Sequence, residues 1–156
     1  LTKRSGASTT TTKHFADKIG GRVSRITTNQ AIPTGVNTAV SWNSEDEDTD
    51  GFTDLTGAPT KIFTVPNGHA GTYRATGYVQ FASSALGASR QIFFMVNDVE
   101  KGRATFPAGS LSMPINFTWK YVDGDNLKIM VGHDIGVDLD VVAGTTFTFA
   151  EFHRVG

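Results

Sequence analysis

The chain reads as an all-β protein, a jelly-roll β-sandwich of two antiparallel sheets, on three observations. Apolar residues recur with period two rather than 3.6 over several stretches. Glycine and threonine are abundant, 17 and 21 of 156 residues, while uninterrupted helix-forming stretches are scarce. Clusters of turn-forming residues break the chain into about nine short strands. The length suits one domain that closes its own core.

Taken in order, Arg22–Thr28 reads as a first strand, followed by a turn through Pro33. A second strand spans Val36–Trp42, with Val36, Thr38, Val40 and Trp42 on one face. Asn43–Gly57 is acidic and turn-rich. The centre of the pattern is Lys61–Phe81: a strand through Ile62, Phe63 and Val65 stops at Pro66, turns at Asn67-Gly68, and resumes at Gly71. From there Tyr73, Ala75, Gly77, Val79 and Phe81 form one row and Tyr78 falls on the other. Arg90–Asn97 is apolar on both faces, with Ile92, Phe94 and Val96 alternating with Phe93 and Met95, so both faces should be covered. Glu100–Gly109 reads as a loop. Met113, Ile115, Phe117, Trp119 and Tyr121 give the cleanest alternation in the chain. Three strands follow, Leu127–His133, Val137–Val141 and Thr145–Arg154, separated by turns at Asp123-Gly124-Asp125, Ile135-Gly136 and Ala143-Gly144.

Charge divides the chain. Residues 1–25 carry a net +5 from Lys3, Arg4, Lys13, Lys18, Arg22 and Arg25 against Asp17, leaving −6 for the remainder. Residues 1–20 also hold the run Ser8–Thr12 and too few apolar groups to fold alone. They read either as an extended arm that orders on a partner, with Lys3, Arg4, Lys13 and Lys18 as anchoring charges, or as a frayed terminus. The head is then 21–156. Spread charges without interleaved aromatics do not suit a nucleic-acid groove, so no nucleic-acid partner is expected. The absence of cysteine excludes disulfides, thiolate metal sites and a cysteine nucleophile, and fits assembly inside a cell. No apolar run approaches the ~20 residues of a membrane span and no signal peptide is visible, so no membrane insertion is expected. Leu1 in place of Met reads as a processed or trimmed terminus.

Five segments in fixed order carry a resemblance: DTDGFTD (Asp48–Asp54), FTVPNGHAGTY (Phe63–Tyr73), a long strand ending at Phe81, DGDNLKIMV (Asp123–Val131) and TFTFAEF (Thr146–Phe152). Together, over Arg22 to Val155, they resemble the globular head shared by tumour necrosis factor and the collagen-tailed complement-recognition proteins. The corner Asn67–Ala70 is longer than usual in that family, and there is no Gly-X-Y stalk. The resemblance implies a ten-strand jelly roll that trimerises about a threefold axis and acts as a binding module rather than an enzyme. By the same match the expected interface residues are Tyr78, Met130, and Phe149 and Phe152 of the Phe147–Phe152 segment, and the doubly apolar strand Arg90–Asn97 adds Phe93 and Met95, against the alternative that each sits in its own subunit's core.

The acidic run has the form D-x-D-x-D-G, with Asp46, Asp48 and Asp50 before Gly51 and Asp54 further on. Alternate carboxylates before a glycine turn are a calcium-loop pattern, although position twelve is Gly57 instead of a bidentate Glu. The two readings are a calcium site and a solvated acidic turn, and no other cofactor is expected. His14, His69, His133 and His153 have no metal or catalytic spacing. Stalkless, cysteine-free heads of this kind resemble structural proteins of tailed bacteriophages. The expectation is a homotrimer on the virion surface, a capsid decoration or minor capsid protein tied by its arm into the larger assembly. The alternative is a tail-fibre tip or soluble receptor-binding module, with a host-surface glycan as partner.

Overall fold

The computed structural model describes residues 19–83, 87 and 89–156. Lys3, Arg4, Lys13 and Lys18, with nearly all of the expected arm, therefore lie outside the described residues. The described chain has no helix and twelve strands: β1 Gly20–Ser24, β2 Gln30–Ile32, β3 Thr38–Ala39, β4 Ser44–Asp48, β5 Lys61–Thr64, β6 Gly71–Gln80, β7 Ser89–Val96, β8 Val99–Pro107, β9 Ser112–Tyr121, β10 Asn126–His133, β11 Leu139–Val141 and β12 Phe149–Arg154. They form a jelly-roll sandwich. One sheet has the order β4-β1-β12-β6-β9; the other runs β3-β10-β7-β8, with β5 also paired to β10; β11 and β2 make a small third pair.

The alternation places the core. From the first sheet Val23, Tyr73, Ala75, Val79, Met113, Ile115, Tyr121, Ala150 and Phe152 point inward, and from the second Phe63, Ile92, Phe94, Val96, Leu127, Ile129 and Val131 meet them, all buried. At one end the core is aromatic. Phe152 and Phe63 bridge the sheets with ring centroids 4.2 Å apart, Phe52 and Tyr121 pack edge-on against Phe63, and Tyr73 lies tilted to it with centroids 5.9 Å apart. Burial pushes the hydroxyl pKa of both Tyr73 and Tyr121 above the usual tyrosine value.

Gly77 has a packing reason to be glycine. A Cβ there would run into the Ile129 side chain from the opposite sheet. The corner Pro66–Gly71 is held from outside its own strand: the Asp123 carboxylate accepts the Gly68 and Ala70 N–H groups, each at 2.8 Å, and Tyr73 Oη donates to the His69 carbonyl at 2.7 Å.

Several elements differ from the sequence reading. Glu100–Gly109 is mostly strand β8, not a loop: Asn97 (φ 49°) and Asp98 (φ 63°) make a two-residue hairpin turn from β7, and β8 pairs with β7 throughout. Only Gly102, Ala104 and Phe106 of β8 turn inward, while its other residues are exposed, as suits an edge strand. Part of the acidic stretch is also strand, β4 pairing with β1. Val36–Trp42 shrinks to Thr38–Ala39; Val40 and Trp42 are buried, but Val36 is 52% exposed and shares no face with them.

Candidate functional site

Successive residues of a strand face opposite sides of its sheet. In β12 this sends Ala150 and Phe152 inward and Phe149, Glu151 and His153 outward. Phe149 stands directly opposite Tyr78 of β6, and the two rings stack with centroids 5.6 Å apart and planes 12° from parallel. The Arg22 guanidinium lies over the Phe149 ring at 4.2 Å, donating from Nε to Asp46 Oδ2 at 3.2 Å and from Nη2 to the Thr145 carbonyl at 2.8 Å. The outer face of the first sheet thus carries a half-buried aromatic pair beside a fixed charge pair.

A second apolar feature lies where the sandwich is open. β9 is the edge of the first sheet and β8 the edge of the second. Between them Phe94, Phe117 and Trp119 form a row of rings from the interior outward, with centroids 5.3 Å apart for the first pair and 5.9 Å for the second. Trp119 ends the row 38% exposed, with Lys101 Nζ 4.9 Å from its ring. Lys101 sits at a bulge in β8, where Phe94 pairs with Gly102 and Met95 with Glu100. The sequence reading put Trp119 in the core row. No sequence signal separates Trp119 from its row, since Tyr121 two residues further on is fully buried.

The six expected interface residues do not share a surface. Tyr78 and Phe149 are on the outer face of the first sheet. Met130 is paired with Phe93, which puts both, with Met95, on the outer face of the second sheet, across the sandwich. Phe152 belongs to neither face: it is fully buried between the sheets against Phe63 and Phe52. Of the six, only Tyr78 and Phe149 meet on the outer face of the first sheet, and Phe152 is a core residue. Phe93 is covered by its own chain, because Arg103 lies over its ring at 4.7 Å and leaves it 2% exposed. Glu100 holds Arg103 by two hydrogen bonds of 3.0 and 2.7 Å, which lower the Glu100 carboxyl pKa and raise that of Arg103. Lys128 and Asp98 pair at 2.6 Å beside them.

The acidic run is not assembled as a calcium loop. Asp46 accepts from Arg22, Ser24 and Ser44; Asp48 accepts the Phe52 and Thr53 N–H groups; Asp50 accepts the Thr49 hydroxyl; Asp54 accepts the Gly57 N–H. Among the described residues no three His, Asp or Glu side chains converge as metal donors. The carboxylates diverge because Ser44–Asp48 is extended, and Asp48 instead fastens the turn that drives Phe52 into the aromatic core. The described histidines are likewise apart: His69 packs on Phe52, His133 is buried with Nε2 2.7 Å from the Ile32 carbonyl, and His153 lies 3.9 Å from Glu151. Asp134, next to His133, takes the Ser89 N–H at 3.0 Å.

No family sequence model and no curated protein sequence matches the chain. Solved structures do. A crystal structure of murine APRIL at pH 5.0 superposes with a TM-score of 0.67 at 10% identity, covering 88% of this chain and 99% of that one. Murine APRIL at pH 8.0 gives 0.62 at 13% identity over 87% and 98%, and Eiger TNF from S. frugiperda 0.57 at 11% over 89% and 93%. The fold is the tumour necrosis factor jelly roll. At these identities the likeness is one of architecture, reaching nearly the whole length of both partners.

Proposed function

We propose that the protein is a homotrimeric, non-enzymatic head on a virion surface, a capsid decoration tied to the particle by the basic arm, residues 1–20. In this reading the Phe117–Trp119 edge of one protomer lies across the Tyr78–Phe149 pair of the next. The observation that carries it is that one subunit presents two different apolar aromatic patches, one on a sheet face and one at the open edge of the sandwich. Unlike patches that fit each other make a head-to-tail contact, which is soluble only if it closes into a ring. The jelly-roll architecture supports closure at three. The charge division, +5 in residues 1–25 against −6 beyond, and the lack of cysteine support the placement on an intracellularly assembled particle.

Sedimentation velocity and light scattering test the assembly. The wild type should be trimeric at micromolar concentration, and Trp119→Glu or Tyr78→Asp should dissociate or unfold it, since each buries an unpaired charge. A monomeric wild type, or trimers that survive both substitutions, would refute it. Deleting residues 1–18 should leave the trimer intact and prevent loading onto particles; normal loading would refute the anchor. A tail-fibre or glycan-binding head is the second reading. It is favoured by a polar cleft lined by Gly35, Asn37, Ser89, Gln91, His133 and Asp134, at the end of the sandwich away from Ile19.

A further inference from the structure

The chain enters the described fold at Ile19, whose carbonyl accepts the Arg154 N–H, beside Thr72 and Gly156. Strand β10 leads away from this end, and its seven steps from Asn126 to His133 carry the backbone about 23 Å. At the far end, the outer face of the second sheet holds a cleft of about 210 Å³ lined by Gly35, Asn37, Ser89, Gln91, His133 and Asp134. Gly132, which pairs with the lining residue Gln91, lets Asn37 pack close against β10: a Cβ on Gly132 would collide with Asn37 Oδ1. The two loops that wall the cleft are fastened together, Gly35 N–H donating to the His133 carbonyl at 2.7 Å and Gly136 N–H to Thr34 Oγ1 at 2.9 Å.

We propose that this cleft binds one neutral sugar ring of a glycan, an inference that deepens the reading of the protein as a binding head. The side-chain amides of Asn37 and Gln91 take part in none of the fold's own hydrogen bonds, so each offers both donors and an acceptor to a ligand. Beside them Ser89 donates its N–H to Asp134 Oδ1 at 3.0 Å and its hydroxyl to Asp134 Oδ2 at 3.5 Å, which fixes this polar wall of the cleft. Sugar hydroxyls are themselves both donors and acceptors, and adjacent pairs of them match this mixed set. Anions do not: among the described residues no Lys or Arg lines the cleft to attract one. A divalent cation does not fit either, since calcium takes six to eight oxygen ligands and the cleft has one carboxylate. The volume lies below the roughly 300 Å³ at which sites for drug-sized molecules begin, which limits the ligand to a single ring.

Saturation-transfer NMR on the full-length protein with D-glucose, D-galactose and D-mannose, and with N-acetylneuraminic acid as the anionic control, tests this. At least one hexose should bind with a millimolar Kd and the acid should not. Asn37→Ala and Gln91→Leu should each weaken binding roughly fivefold or more while leaving the melting curve unchanged, because neither amide is used by the fold. Hexoses that fail to bind, or variants that bind like wild type, would overturn the proposal. Light scattering on the same samples separates the two readings: a trimer that binds no hexose refutes the cleft alone, and a hexose-binding monomer refutes the trimer alone.

Discussion

Phe152→Ala distinguishes an interior residue from an interface one. The ring is fully buried, its centroid 4.2 Å from Phe63 and 5.4 Å from Phe52, and it joins the first sheet to the second. Removing a buried phenylalanine costs about 3–5 kcal/mol in transfer energy and residual cavity. The upper part of that range applies here, because two aromatic pairs go with it, each contributing about 0.5–1.5 kcal/mol beyond area burial. Both sheets are also fixed by their ladders and cannot close the gap. At roughly 3 °C per kcal/mol for a domain of this size, a loss of about 4 kcal/mol lowers Tm by some 12 °C. Urea unfolding followed by circular dichroism measures the loss, and light scattering at low urea measures assembly. The variant should be strongly destabilised yet keep the wild-type oligomeric state wherever it is still folded. A loss under about 1 kcal/mol, or dissociation of a folded variant, would refute the placement of Phe152 in the core.

Three further outcomes follow from the same geometry. Asp123 is held below the usual carboxylate pKa, first by the Gly68 N–H and then by its neighbours, so its stabilisation is present above about pH 4 and lost as pH falls through its lowered folded value. Asp123→Asn should flatten the acid limb of a melting-temperature profile, and an unchanged limb would count against the clamp. Asp48→Ala leaves the Phe52 and Thr53 N–H groups without their acceptor and should cost about 1–2 kcal/mol, with the same difference in calcium as in chelator; a calcium-dependent loss would revive the metal reading. Asp98 has a left-handed backbone, φ 63°, so Asp98→Val should be less stable than Asp98→Gly by about 1–3 kcal/mol in urea titration. Both variants lose the Lys128 pair, and equal stabilities would contradict the hairpin geometry.

The strands easiest to read from sequence were those with one face in the core and the other in water. β6 and β9 declare themselves by alternation because, Tyr78 and Pro114 apart, their outer rows are Thr, Arg, Gln, Ser, Asn and Lys. β8 was illegible for the opposite reason: as an edge strand it has only Gly102, Ala104 and Phe106 to bury, and its Glu, Lys and Arg look like a loop. The apolar second face of β7 was illegible in another way. Phe93 has a cover within its own chain, a guanidinium from the adjacent strand, and a long amphipathic side chain leaves no such mark in a hydropathy pattern. Phe149 and Phe152 were separable in principle, being three residues apart in a strand and therefore on opposite faces. The cleft had no sequence signal, since Asn37, Gln91 and Asp134 meet only through the pairing of β10 with β7 and the loop beside β3.

The proposed assembly and the proposed cleft occupy different surfaces, and this bears on whether a weak cleft could matter. Tyr78, Phe149 and Trp119 lie on the first sheet and its open edge, whereas the cleft opens on the outer face of the second. A ring closed through the former leaves the latter uncovered in every protomer. Three clefts would then lie at the end of the sandwich opposite Ile19, at fixed spacing, on one rigid body. A millimolar site is too weak to hold a particle singly, but linked sites gain about 10²–10⁴ in avidity when a surface engages them together. The two devices therefore depend on each other in function while remaining separable in structure. Trp119→Glu should abolish retention on a multivalent glycan surface without changing the affinity of one cleft for one sugar, provided the released protomer stays folded.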